Sequence, residues 1–258
     1  MIDPVFQLAD VTVSYNAVPA VQDVTLDIPR AGVTALLGPS GSGKSTLLRC
    51  LNRMNDLAPG AHLVGRVTFD GADIHAPDVD LVALRRRVTM VFQRPTAFPM
   101  SVFENVAYGP RLAGPPADLD ALVEESLQRA GLWEEVRRDV HQDAAGLSIG
   151  QQQRLSIARC LAVGPEVLLM DEPTASLDPV STRSVETLIR TLAEDLTIVL
   201  VTHDLGQAER VADHLAFLAV EADDHSRHGV LVECGPTRRM FDAPADARTA
   251  AYLGSQDG

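Results

Sequence analysis

The sequence predicts an α/β fold, with a mostly parallel sheet flanked by helices, an antiparallel β region at the start and an inserted helical subdomain. Three observations predict it. Four short apolar runs lack polar alternation and stop at turn or polar residues. Helical stripes lie between them, and a proline-rich stretch interrupts the rhythm at mid-chain.

Phe6 to Ile28 comes first and alternates, with Val11, Val13 and Tyr15 on one face and Thr12 and Ser14 on the other. That pattern predicts a half-exposed antiparallel hairpin region. The unbroken runs are Val33–Leu37 ending at Gly38, Val88–Phe92 at Gln93, Val167–Met170 at Asp171, and Thr197–Val201 at Thr202-His203. Such runs suit strands covered on both faces. Their polar ends fall where open α/β sheets bind ligands. Leu47, Leu48, Leu51 and Met54 form one helical stripe, Leu155, Ala158, Leu161 and Ala162 a second, and Val185, Leu188, Ile189 and Leu192 a third. From Pro95 to about Gly146 the prolines cluster (Pro95, Pro99, Pro110, Pro115, Pro116), and Ala117 to Ala130 reads as a helix. One domain over 1–258 is expected, with an α/β core from 1–94 and 165–258 and a helical subdomain over 95–164. There is no internal repeat or low-complexity tract.

Composition sets outer bounds. At 258 residues and 46% hydrophobic content the chain can bury a sizeable core. Lys+Arg of 22 against Asp+Glu of 35 leaves a formal charge of -13. That acidic balance repels phosphate backbones and anionic lipid, so nucleic acid is not an expected partner. Cys50, Cys160 and Cys234 follow no pairing pattern, which suits reduced thiols in a cytosolic protein. Met1-Ile2-Asp3-Pro4 lacks a signal-peptide layout. No apolar run approaches the ~18–20 residues of a membrane span, so at a membrane another chain would supply it.

Gly38-Pro39-Ser40-Gly41-Ser42-Gly43-Lys44-Ser45 fits GxxxxGK[ST] between a strand and an amphipathic helix. Glycines let backbone N–H groups converge on phosphate oxygens, and the helix turns its positive end toward them. Lys44 is then expected on the β- and γ-phosphates, and Ser45 on Mg²⁺. An accidental Gly/Ser turn is the competing reading, and the flanking strand and helix weigh against it. Asp171-Glu172-Pro173 supplies carboxylates at a strand tip. Asp171 suits Mg²⁺, and Glu172 suits orientation or deprotonation of an attacking water. A solvated acidic turn is the alternative.

Taken together, these residues resemble the ATP-binding cassette (ABC) ATPases over nearly the whole chain and in that family's order. By resemblance Tyr15 is the adenine-stacking aromatic. Gln93 is the Q-loop glutamine that contacts Mg²⁺ and water. Leu147-Ser148-Ile149-Gly150-Gln151 is the signature motif, which falls in the 95–164 subdomain. Ser176-Leu177-Asp178 is the D-loop, and His203 is the switch histidine on the γ-phosphate. Alone, His203 reads as an ordinary strand-end histidine and Tyr15 as a packing aromatic. Ser148 with Gln151 three residues on also reads as a capping box opening a helix, an end that attracts anions.

The resemblance implies two ATP molecules sandwiched in a head-to-tail dimer. Gly41, Gly43, Lys44, Ser45 and Thr46 of one copy would face Ser148, Gly150 and Gln151 of the other. The family usually reads LSGGQ, and Ile149 here replaces the first glycine. If the backbone there is ordinary helical geometry, Ile is tolerated; if a close approach to the γ-phosphate is needed, closure weakens. The expectation is hydrolysis slowed but not lost.

Longer blocks resemble the phosphate-specific (Pst-type) import ATPases of that family. They are Leu51-Asn52-Arg53-Met54-Asn55-Asp56-Leu57 with Pro59-Gly60-Ala61, Leu84-Arg85-Arg86-Arg87-Val88, Val91-Phe92-Gln93-Arg94-Pro95, Glu104–Leu112, Gln151–Leu155 and Arg248–Leu253. This implies a peripheral motor on the cytoplasmic face, working with membrane permease subunits and, indirectly, a periplasmic or extracellular phosphate-binding protein. Two departures stand out. Thr96-Ala97-Phe98-Pro99 replaces the usual asparagine-proline start, and Glu221 to His228, with Asp223, Asp224 and His225, looks longer than the family's hairpin. That segment reads as a solvated turn, with metal binding as the alternative. Phe98, Met100 and Phe103 are either core or a groove for a membrane-subunit helix. Rival readings are a soluble ABC ATPase of repair or translation, a nucleotide-sensing regulatory cassette, and an importer of another small solute.

Overall fold

The computed structural model describes residues 3–114, 116–222 and 227–254. In chain order its elements begin with β1 (Pro4–Tyr15), β2 (Val18–Pro29), β3 (Gly32–Leu37) and α1 (Lys44–Cys50). A 3₁₀ turn (Met54–Leu57), β4 (Ala61–Phe69), β5 (Ala72–Asp73), α2 (Leu81–Arg87) and β6 (Val88–Val91) follow. Next come α3 (Val102–Ala113), α4 (Leu119–Arg129), α5 (Trp133–Val136), α6 (Ile149–Leu161), β7 (Val167–Asp171) and α7 (Pro179–Leu192). The chain closes with β8 (Thr197–Val201), α8 (Leu205–Val211), β9 (His214–Ala222), β10 (Arg227–Pro236), α9 (Thr237–Asp242) and α10 (Ala247–Leu253). No helix of the described residues is long and apolar enough to cross a membrane.

Two compact units emerge. One comprises the residues up to Arg85 and from Thr197 onward, the other Arg86–Leu196. Segment 95–164 lies within the second, together with β6, β7 and α7.

In the first unit the strand order is β5-β4-β1-β2-β10-β9-β3-β8. The pair β1/β2 is antiparallel, as the alternation over Phe6–Ile28 predicts, and so are β4/β1, β5/β4 and β10/β9. β3 runs parallel to β8 and β9. Asn16 and Ala17 both take left-handed φ, 50° and 66°, making the two-residue turn whose twist matches a hairpin. Val33 to Leu37 is buried throughout, as expected of a strand covered on both faces. The first helical stripe departs from expectation. α1 ends at Cys50, so Met54 falls on the 3₁₀ turn and is half-buried, while Asn55 is the buried residue there.

In the second unit β6 and β7 pair in parallel, Val91 opposite Met170. Phe92 lies beyond the strand and is exposed. The helices start where side chains cap them. Ser101 accepts from Glu104 N at α3, Asp118 from Ala121 N at α4, and Asp178 from Val180 N and Ser181 N at α7, with Pro179 in the first turn. Pro110 lies inside α3, where it lacks the N–H that would otherwise bond the Val106 carbonyl, and the helix stops three residues later at Ala113. The second and third stripes are buried in α6 with its C-cap and in α7.

Asn105, fully buried on α3, organises the segment after Gln93. Its Nδ2 donates to the carbonyls of Phe98, Met100 and Ser101, and its Oδ1 accepts from Phe98 N and Arg159 Nη1. Removing that amide strands buried backbone groups. Asn105→Ala is expected to cost about 2–4 kcal/mol, read from urea denaturation. A loss below ~1 kcal/mol would show that the segment holds itself.

Candidate functional site

The phosphate loop leaves β3 at Gly38 and enters α1 at Lys44. Lys44 is buried, and its ammonium donates to the carbonyls of Gly38 at 2.7 Å and Pro39 at 2.9 Å. Pro39, Ser40 and Gly41 are exposed at the loop's crest. Ser42 is fully buried, and its hydroxyl finds no hydrogen-bond partner among the described residues. Ser45 and Thr46 follow in the first turn of α1, both half-buried.

The loop is seated on neighbouring strands by close backbone approach. Gly43 is left-handed at φ 78°, and a Cβ there would lie 2.1 Å from Val21 Cγ1 of β2. From the other side, a Cβ on Gly229 of β10 would lie 2.0 Å from the Ser42 carbonyl oxygen. Only glycine permits either contact. Gly229 was not among the residues expected at the site. Its signal was available, because a glycine inside an apolar strand marks a close approach of another backbone. The parallel register sets Leu36 beside Val201, and Thr202 N donates to Leu36 O. His203, which is exposed, and Gly38, which is buried, therefore leave neighbouring strands at the same sheet end. Tyr15 ends β1, and its hydroxyl donates to Asn55 Oδ1 at 2.9 Å.

In the second unit the same logic brings Gln93 and Glu172 together. Each lies two residues beyond a paired strand residue, Val91 and Met170. Gln93 Nε2 donates to Glu172 Oε2 at 3.1 Å. Asp171 is buried at the tip of β7. Glu172 takes a left-handed φ of 46°, a costly conformation for a residue with a Cβ and one concentrated at functional sites.

The start of α6 forms the expected capping box. Ser148 N donates to Gln151 Oε1 and Gln151 N to Ser148 Oγ. Glu135, which sequence reasoning missed, braces it from α5, accepting from Gln151 Nε2 at 2.8 Å and Arg154 Nη1 at 2.6 Å. Burial alone pushes the Glu135 carboxyl up, but the Arg154 and Gln151 hydrogen bonds outweigh it and hold it low. That brace is complete above the usual glutamate range and fades as pH falls through the lowered value. Ile149 has ordinary helical backbone and is 53% exposed, which meets the condition for tolerance at that position. Gly150 is buried, and a Cβ there would lie 2.8 Å from Ser181 Oγ. Ser176 is exposed and Leu177 half-buried, ahead of the capping Asp178.

Two other expectations resolve differently. Phe98, Met100 and Phe103 are half-buried, neither full core nor free surface. Phe98 lies under the Arg159 guanidinium at 4.2 Å and edge-on to Tyr108, beside a groove of about 300 Å³ that also takes in Met90, Phe92 and Thr96. Asp223, Asp224 and His225 lie outside the described residues, while His228 is buried on β10.

The loop fits a polyphosphate: a buried ammonium beside crest amides, an unpartnered buried hydroxyl, and glycines that no larger residue could replace. Within each unit taken by itself there are hard oxygen donors of the kind Mg²⁺ prefers, Ser45 in the first and Gln93 and Asp171 in the second.

The sequence profile of the ABC transporter family matches residues 21–175. The phosphate import ATP-binding protein PstB 2 of Synechococcus sp. (strain JA-2-3B'a(2-13)) is 51% identical over 254 residues, covering 98% of this chain and 96% of that protein. The phosphate import ATP-binding protein PstB of Thermotoga maritima is 47% identical over 258 residues, 99% of this chain and 100% of its own length. The solved structure of CbiO1 from Clostridium perfringens, part of an ABC transporter complex, aligns with a TM-score of 0.77 at 28% identity. It covers 96% of this chain and 95% of that one.

Gly229→Ala is expected to push on the Ser42 carbonyl and weaken ATP binding about tenfold or more, measured by calorimetry. Unchanged affinity would show that the loop does not depend on this seat.

Proposed function

The chain belongs to the ABC transporter family of ATP-binding proteins, and we propose that it is the ATP-hydrolysing motor of an importer for inorganic phosphate. ATPase activity follows from the family and from the phosphate loop. The observation that carries the catalytic reading is the Gln93–Glu172 contact at the in-register ends of β6 and β7. Inorganic phosphate as the cargo is supported by near-full-length identity with two phosphate import proteins.

In this reading the residues divide the work. Crest amides of Gly38 to Gly43 and Lys44 bind the β- and γ-phosphates, and Tyr15 takes the adenine. Ser45, Gln93 and Asp171 would hold Mg²⁺, which when bound neutralises charge on the phosphate oxygens. Glu172 aligns the attacking water and accepts its proton. Its strained backbone and the Gln93 hydrogen bond limit where the carboxylate can point. Lys44 and His203 stabilise charge that develops on the γ-phosphate. Ser148, Gly150 and Gln151 of a second copy complete the site from the start of α6, whose capping box leaves other first-turn amides for an anion. Hydrolysis removes the group that both copies hold, so the pair reopens. The work is transmitted to membrane permease subunits at the cytoplasmic face, which receive phosphate from an external binding protein.

Glu172→Gln is expected to lower turnover by about a hundredfold or more while ATP binding persists and a closed dimer accumulates. Wild-type turnover in that variant would remove Glu172 from the mechanism. Vesicles carrying the chain with its co-purifying permease are expected to take up labelled phosphate only with ATP inside the motor's compartment. ATPase activity without phosphate uptake, but with uptake of another solute, would keep the motor and overturn the cargo.

A further inference from the structure

One buried amide joins the ring of Tyr15 to the first turn of α1. Asn55 Oδ1 accepts from the Tyr15 hydroxyl at 2.9 Å. On its other side Asn55 Nδ2 donates to the Thr46 carbonyl at 2.9 Å and to Cys50 Sγ at 3.2 Å. The orientation of this amide is forced. Flipping it would set Oδ1 against the Thr46 carbonyl, acceptor against acceptor. Asn55 is buried, so water cannot replace either link at low cost.

The turn that carries Asn55 is itself braced. Arg53 enters it at φ 59° and donates to Asp56 Oδ2 and to the Ile74 carbonyl. Arg85 donates to the carbonyls of Asn52 and Arg53. Tyr15 ends β1 beside the two-residue hairpin turn, half-buried, and is paired with Val18 of β2 and Ala61 of β4. Its hydroxyl contact ties the ring, through Asn55, to the carbonyl of Thr46, the residue after Lys44 and Ser45.

We infer that Asn55 is a positioning residue for the nucleobase: it holds the Tyr15 ring at a fixed offset from the phosphate loop, so that base and phosphates are met together. This rests on Tyr15 being the surface that takes adenine. The consequence is selective. Loss of the amide weakens ligands that carry both a base and phosphates, and spares ligands that are phosphate alone.

The test uses the full chain with a non-hydrolysable ATP analogue and inorganic tripolyphosphate, titrated by calorimetry against wild type, Asn55→Ala, Tyr15→Phe, the double variant and Tyr15→Ala. Asn55→Ala and Tyr15→Phe are each expected to weaken the ATP analogue about three- to tenfold, the worth of one hydrogen bond. Tripolyphosphate affinity is expected to stay within about twofold, and the double variant to match the singles. A purely structural role would weaken both ligands together in Asn55→Ala, and that result overturns the inference. Tyr15→Phe, which leaves Asn55 in place, decides the matter if Asn55→Ala misfolds; an unchanged analogue affinity there also overturns it. If Tyr15→Ala weakens the analogue while Asn55→Ala and Tyr15→Phe do not, the base surface stands and only the positioning role falls. If Tyr15→Ala changes nothing, the adenine reading falls, and the inference with it.

Discussion

Lys44 is an ammonium taken out of water, and such a group persists in a protein only where acceptors surround it. Two of its acceptors, the carbonyls of Gly38 and Pro39, come from the loop it belongs to. The loop can offer them only by wrapping tightly, and neighbouring strands hold it closely on two sides. Val21 of β2 lies against Gly43, and Gly229 of β10 against Ser42. A long stretch of the first unit's sheet thus serves to hold one lysine and a ring of amides. An incoming polyphosphate meets that charge already in place, and the protein spends little of the binding energy on reorganising it.

The second unit solves a related problem with a carboxylate. Glu172 lies on a residue whose backbone is costly, and a neighbouring strand end supplies the amide that meets its side chain. At the head of α6 the solution recurs with different parts, since Gln151 closes the capping box with one end of its amide and meets Glu135 with the other. In each case a mobile side chain is held by a group fixed to an element of regular structure. That is how a site built on strand ends and helix starts keeps its geometry without being buried.

Much of this was legible in the amino-acid order because the signals are local. Unbroken apolar runs gave the strands around the phosphate loop, and Ser148 with Gln151 announced the α6 cap. The residues that escaped notice act across long separations. Gly229 meets Ser42 from far down the chain, Asn55 joins Tyr15 to Thr46, and Glu135 reaches Gln151 from another helix. Periodicity cannot reveal such contacts, because each depends on where two distant elements come to rest. The stripe through Met54 misled for a simpler reason: α1 is only seven residues long, and the chain tightens into a 3₁₀ turn that carries Asn55 inward instead.

The parallel pairing of β6 and β7 also constrains what sequence change can do there. Gln93 and Glu172 meet because each sits at the same count beyond Val91 and Met170. Inserting or deleting one residue before either would shift its side chain by roughly 3.3 Å and reverse the face it points from. Side chains inside the two strands are open to exchange among apolar residues of similar size, but their lengths are not. The sheet here acts as a ruler, and drift in this region is confined to substitution.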